Sequence, residues 1–151
     1  MRTTLLQPVP ELICSHGLRC TRQRQFLFEA LAATDTHPTA EALFEMVAPH
    51  APDLSLATVY NTLKAFCRSG LAREFTSGNG AVHYDANIDN HAHFQDQRSG
   101  NLTDLPKDLS TRLLASLPRD MIAQIETRLN CKIKHIHIEF VGQSKAGPAV
   151  V

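Results

Sequence analysis

The chain has 151 residues, room for one ordinary domain or two small ones. Hydrophobic residues make up 43% and charged residues 20%, and 15 Lys and Arg balance 15 Asp and Glu, a composition normal for a soluble globular protein. The longest apolar run is too short to span a bilayer and MRTTLLQPVPEL has no signal-peptide core, so a cytoplasmic protein with no membrane partner is expected.

In chain order, TRQRQFLFEALAA (21–33) reads as a helix, with Thr21 as N-cap and Phe26, Leu27, Ala30 and Leu31 as its apolar stripe. THPT (36–39) interrupts it, and Thr39 can cap a second helix, AEALFEMVA, which ends before Pro49. After the HAPD loop (50–53), Ser55 caps a third helix, LATVYNTLKAFCRS, and Gly70 is its stop. Leu56, Val59, Leu63 and Phe66 form the core stripe of that helix and leave Tyr60, Asn61, Lys64 and Arg68 facing outward. LAREF and AVHY, separated by SGNG (77–80), read as a β-hairpin. Helices followed by a hairpin make a winged helix-turn-helix.

The net charge of zero argues mildly against nucleic acid, because phosphate binding runs on Lys and Arg. The charges are not evenly spread, however. Residues 16–28 hold Arg19, Arg22 and Arg24 with no acid, and residues 55–73 hold Lys64, Arg68 and Arg73 with no acid. A helix whose outer face is Tyr, Asn, Lys and Arg fits the DNA major groove: the cations hold phosphates, and Tyr60 and Asn61 reach base edges. An ordinary core helix with a solvated face is the competing reading, and the wing weighs against it.

Beyond Asp85 the texture changes. AHFQDQ and NLTDL are short strands, PKDLSTRLLASL and PRDMIAQIETRLN are helices that each begin at a proline, and KIKHIHIEFVG is a strand. In that last strand Ile136, Ile138 and Phe140 alternate with His135, His137 and Glu139, which are assigned to a solvated face. The expected fold is therefore α+β. An N-terminal winged helix-turn-helix (1–85) and a hinge at ANIDN (86–90) precede a small C-terminal α/β module (91–142) and a frayed tail (143–151). Cys14, Cys20, Cys67 and Cys131 form no CxxC pair; reduced, buried thiols are expected, and no thiolate zinc cluster.

The chemistry is concentrated in DNHAHFQDQRSGNLTD (89–104). On a strand, His91 and His93 point to one face roughly 7 Å apart at their Cα atoms, close enough to share an ion. Asp85 lies upstream, Asp104 downstream, and His37 in the loop between the first two helices. Imidazoles and carboxylates without thiolate suit Fe(II), Mn(II) or Zn(II) rather than Cu(I). An isolated HxH is more often a surface pair, and that is the reading for His135 and His137. His83 can join Asp85 on one side of its strand but is expected to face solvent, and His16 and His50 have no evident partners.

TRQRQFLFEAL, HPTAEALFEMV, SLATVYNTLKAFCRSGLARE and HYDANIDNHAHF, in this order and at these separations, resemble the ferric uptake regulator family over about residues 10–142. TVYN and an aspartate at position 85 look like its peroxide-sensing branch. The resemblance implies a metal-dependent, homodimeric DNA-binding repressor, not an enzyme, whose C-terminal module dimerises. It implies one divalent metal per subunit, Fe(II) or Mn(II) with Zn(II) able to substitute, on His37, Asp85, His91, His93 and Asp104. It assigns Tyr60 and Asn61 to bases and Arg22 and Lys64 to phosphates of double-stranded, palindromic DNA. It marks His37 and His91 as the residues that peroxide would oxidise.

Typical family members also hold a zinc on two CxxC pairs. Here the first pair's positions are Asp96 and Ser99 and the second pair is missing, so no structural zinc held by four cysteines is expected, and the dimer must rest on sheet pairing and apolar helix faces. A further family metal site would need ligands at Asn90 and Ala92, and none is expected there. The loss of the CxxC pairs also resembles the haem-responsive branch, Irr, although Ala92 interrupts the HHH run associated with haem. A non-haem metalloenzyme and a plain metal-storage protein are the readings from other classes. Ligands split across a hinge argue against catalysis, which needs a rigid site, and storage needs no basic Tyr-Asn helix face.

Overall fold

Thr21, Thr39 and Ser55 each accept a hydrogen bond from the backbone N–H three residues on, at 3.3, 3.3 and 3.1 Å, and each starts a helix where the sequence places one. In this computed structural model, which describes residues 7–34, 36–78 and 80–145, these are α2 (Arg22–Ala33), α3 (Ala40–Val47) and α4 (Leu56–Ser69). Gly70, at φ 76°, closes α4 in the left-handed conformation that glycine adopts without strain.

A shorter helix, α1 (Val9–Ser15), precedes them. It has no counterpart in the sequence reading because Pro8 and Pro10 resemble a loop, although proline is tolerated in a first helical turn. Val9 and Ile13 turn its one apolar face into the core.

That core gathers Leu27, Phe28, Leu43, Val59, Leu63 and Phe66, with Phe28 and Phe66 meeting edge to face at 5.5 Å. Phe66→Ala should therefore cost about 3–5 kcal/mol of stability, read by denaturant unfolding. A loss below about 1 kcal/mol would show that the helices do not pack on this ring.

The wing is β1 (Arg73–Thr76) and β2 (Val82–Asp85), antiparallel, with Arg73 opposite Asp85 and Phe75 opposite His83. Tyr84 N–H donates to the Pro38 carbonyl at 3.0 Å and ties the wing to the segment before α3. Tyr84 joins the hydrophobic core, and on the other face of the hairpin Phe75 is half-buried. His83, expected at the surface, is instead buried, and its Nδ1 lies 2.5 Å from the His37 carbonyl.

The chain divides into two compact units between Ile88 and Asp89. The second contains β3 (Ala92–Asp96), β4 (Leu102–Asp104), α5 (Lys107–Ala115), α6 (Arg119–Leu129) and β5 (Ile138–Gly142). Its sheet has the order β4-β3-β5, antiparallel on one side of β3 and parallel on the other. Ser110 Oγ on α5 accepts from Ala92 N–H at 2.9 Å and fixes the start of β3.

The last strand is shorter than its alternation implies. Pairing begins at Ala92↔Ile138, so residues 131–137 form no strand pair among the described residues and have no regular structure. Its alternation holds only in part: His135 and His137 are exposed and Ile136 and Ile138 half-buried, but Phe140 and Val141 are exposed, while the Glu139 side chain is largely covered. The cysteines depart from expectation as well: all four are free, but Cys14 and Cys131 are exposed and Cys20 and Cys67 only half-buried. Residues 143–145 have no regular structure, and the rest of the tail lies outside the described residues.

Candidate metal centre

In the C-terminal unit, β3 and β4 build one group of donors. His93 is fully buried and sits opposite Asp104 in the antiparallel register, with its Nε2 3.6 Å from Asp104 Oδ1. His91, one residue before β3, brings its Nε2 to 2.8 Å from the same oxygen. The two rings lie 4.5 Å apart. His91 Nδ1 is 2.8 Å from the Asp89 carbonyl, which holds a proton on Nδ1 and leaves Nε2 as the ligating nitrogen.

His91, His93 and Asp104 thus each offer a donor atom within 4.8 Å of the others. A divalent ion bound at about 2.0–2.2 Å needs donors no more than about 4 Å apart, and small side-chain rotations supply the difference. The donor chemistry fits such an ion: two neutral imidazoles and a carboxylate, borderline to hard, with no thiolate. An ion would displace the close contact between His91 Nε2 and Asp104 Oδ1.

Two residues that the sequence reading assigned to solvent stand beside this group. Glu139 is the register partner of His93 on β5, and its Oε1 is buried. The His137 ring lies 5.2 Å from the His93 ring, with its Nε2 3.8 Å from Glu139 Oε2. The parallel pairing of β5 with β3 puts them there, and no local pattern in KIKHIHIEF specifies that pairing.

The N-terminal unit holds the other two expected ligands. His37 is buried with its Nδ1 3.7 Å from Asp85 Oδ1, and its ring meets Phe75 edge-on at 5.5 Å. Asp85 Oδ1 also accepts the Asn87 N–H at 2.7 Å. Its Oδ2 accepts from Arg73 Nε and Nη2 at 3.2 and 3.1 Å. Asp85 is therefore committed to an arginine as well as facing a histidine, which the spacing does not reveal.

On α4, Tyr60, Asn61, Lys64 and Arg68 are exposed, and Arg22 is exposed at the start of α2 with its guanidinium 5.3 Å over Phe26. Tyr60 donates its hydroxyl to Glu41, which holds the Glu41 carboxyl below the usual range and pushes the Tyr60 phenol up. Glu41 and Glu74 line a groove of about 630 Å³ with Tyr60 and Lys64. The acid-free helix face is thus flanked by acids from α3 and β1.

Residues 15–141 match the profile of the Ferric uptake regulator family. The chain belongs to the ferric uptake regulator family. That family consists of transcription regulators, not enzymes. This family member is 36% identical over 88 residues to the "Peroxide-responsive repressor PerR" of Staphylococcus aureus (strain Mu50), covering 58% of this chain and 60% of that repressor. The match therefore spans less than two thirds of either protein.

Among solved structures, a "zinc-bound manganese uptake regulator" superposes with a TM-score of 0.69 at 21% identity, over 92% of this chain and all of that one (100%). A Campylobacter jejuni peroxide stress regulator gives 0.63 at 22%, over 93% and 96%. At these identities the likeness concerns the fold.

At Asp96 and Ser99, where the sequence resemblance led to the expectation of no thiolate zinc, hydrogen bonds close the loop. Ser99 Oγ donates to Asp96 Oδ2 at 3.0 Å, and the backbone N–H groups of Arg98 and Ser144 donate to Oδ1 at 3.1 and 3.2 Å. These donors hold the Asp96 carboxyl below its usual range.

Proposed function

We propose that the protein is a homodimeric, metal-dependent repressor that binds a palindromic operator in double-stranded DNA and releases it on exposure to peroxide. The observation that carries this reading is the convergence of His91, His93 and Asp104 within 4.8 Å in a chain whose α4 presents Tyr60, Asn61, Lys64 and Arg68 to solvent.

In this reading, His91, His93 and Asp104 hold the ion on the C-terminal unit, and His37 and Asp85 complete its coordination from the N-terminal unit. The ion is Fe(II) or Mn(II), one per subunit, with Zn(II) able to substitute. Because the five ligands come from both units, loading restricts the positions that the winged helix can take. A two-fold dimer then presents two α4 helices at a spacing suited to half-sites about one or two DNA turns apart. Without the ion that geometry is only fractionally populated and apparent affinity falls. A coupling of about 1–3 kcal/mol corresponds to a 5- to 150-fold change.

An apolar surface on the C-terminal unit supports dimerisation. Met121, Ile125 and Leu129 recur every four residues along α6 and are all exposed, as are Phe140 and Val141 on β5. The test of the whole reading is operator binding by the purified protein with Mn(II), with Fe(II) and with neither, on a site selected from random DNA by the Mn(II)-loaded form. Binding that is indifferent to metal would end it.

Within the DNA face, Tyr60 and Asn61 carry sequence readout and Lys64 carries phosphate affinity. The Tyr60 hydroxyl exchanges Glu41 for a base on binding. Lys64→Ala should therefore weaken specific and random DNA about equally and reduce the salt slope by about one unit. Selective loss of the operator would reverse this division of roles.

A further inference from the structure

We propose that Arg73 is the resident counter-cation of the metal site and sets how tightly the site holds a divalent ion. The inference rests on the reading of Asp85 as a ligand. It starts from the register of the wing, in which Arg73 on β1 and Asp85 on β2 are directly opposite, so their side chains share one face of the hairpin. Asp85 is only 5% exposed, and a buried carboxylate needs a compensating charge. Arg73 supplies it with two hydrogen bonds, at 3.2 and 3.1 Å, to a single oxygen, Oδ2.

The other oxygen, Oδ1, is turned the opposite way, toward His37 Nδ1 at 3.7 Å, and is steadied by the Asn87 N–H at 2.7 Å. The two carboxylate oxygens therefore have separate roles. Oδ2 receives the guanidinium, and Oδ1 is, in this proposal, the atom that joins His37 on a divalent ion. An ion entering there meets a ligand already neutralised by Arg73.

Two effects of Arg73 oppose each other. Its hydrogen bonds orient Asp85, which favours capture. Its positive charge, across one carboxylate from a dication and largely shielded from water, disfavours capture. The Coulomb term between a unit charge and a double charge a few ångströms apart exceeds the worth of an orienting hydrogen bond even with strong protein screening. Arg73 therefore weakens the site on balance. It keeps the metal-free wing folded around a satisfied Asp85 and raises the ion concentration needed for loading.

The test is a Mn(II) titration of the full chain, read from the electron paramagnetic resonance signal of the free aquated ion. Arg73→Gln removes the charge and keeps a donor, and it should tighten Mn(II) binding at least tenfold. Arg73→Met, which keeps the aliphatic stem, should do the same, so a fold defect in one variant leaves the other. Arg73→Lys retains the charge and should stay within about threefold of the unaltered protein. The rise in melting temperature on saturation with Mn(II) should be larger for the two neutral variants.

Asp85→Asn should weaken binding more than tenfold, and in that background Arg73→Gln should still tighten it, because the guanidinium repels the ion whether or not Asp85 is charged. If Asp85→Asn weakens binding while Arg73→Gln and Arg73→Met leave it unchanged or weaker, Arg73 merely stabilises the wing, and the proposal is overturned with the ligand reading intact. If Asp85→Asn leaves Mn(II) affinity untouched, Asp85 is not a ligand, and both readings fall.

Discussion

His93→Ala is expected to abolish metal-stimulated operator binding while leaving a folded dimer. His93 lies at the centre of its sheet, paired with Asp104 on one side and Glu139 on the other, and has no exposed surface. No solvent-borne group can replace its nitrogen. Losing one protein ligand should lower Mn(II) affinity by more than the 10- to 100-fold typical of losing a partner that only orients a ligand, so a drop of at least about 100-fold is expected.

The stimulation of DNA binding by metal proposed above, about 5- to 150-fold, should vanish with it. Truncating a buried ring also leaves a void, so circular dichroism and sedimentation must accompany the measurement. Asp104→Asn keeps the volume, removes the charge and should give the same functional loss with less structural cost. Fluorescence-anisotropy titrations with and without Mn(II) read the outcome. Metal dependence like that of the unaltered protein in both variants would show that the ion does not act through His93 and Asp104.

The second large effect concerns peroxide. Ferrous iron, if held by the nitrogen and oxygen ligands proposed here, would supply the electrons that reduce hydrogen peroxide beside the ligand rings. The side chains close to that chemistry are imidazoles. The thiol of half-buried Cys67 is pushed up to about 11 by burial, with a contribution from Glu74, so it stays protonated and reacts slowly with peroxide.

His37 and His91 are therefore expected to gain one oxygen in the Fe(II) protein treated with dilute peroxide. Mn(II) should protect them. An oxidised imidazole is a poor ligand, so ion affinity and operator binding should fall together. Peptide mass spectrometry of the two metal forms measures the added oxygen, and a parallel DNA titration measures release. If both forms stay unoxidised while haem binds tightly and releases DNA, the haem-responsive reading replaces this one. Ala92, fully buried between the two histidines, is the feature that weighs against haem.

The sequence by itself determined what local interactions decide. Thr21, Thr39, Ser55 and Gly70 act within one helical turn, so α2, α3 and α4 begin or end where those residues stand. The stripe of Val59, Leu63 and Phe66 picked the buried face of α4, and the remainder picked its exposed face, because helical spacing alone sorts them. His91 and His93 were legible for the same reason: strand alternation puts i and i+2 on one side.

The tertiary structure decided everything that depends on which strand lies beside which. Glu139 reads as a solvated residue until β5 pairs in parallel with β3 and sets it opposite His93, while His137 stays exposed with its ring 5.2 Å from that of His93. His83 reads as a surface residue until the wing packs on the segment before α3. Asp85 reads as a bare ligand until hairpin register sets Arg73 opposite it, and α4 reads as free of acids until α3 delivers Glu41 to Tyr60. Pairing across strands is settled by burial and register summed over the whole unit, and a period of two or of 3.6 along one segment carries no record of its partner.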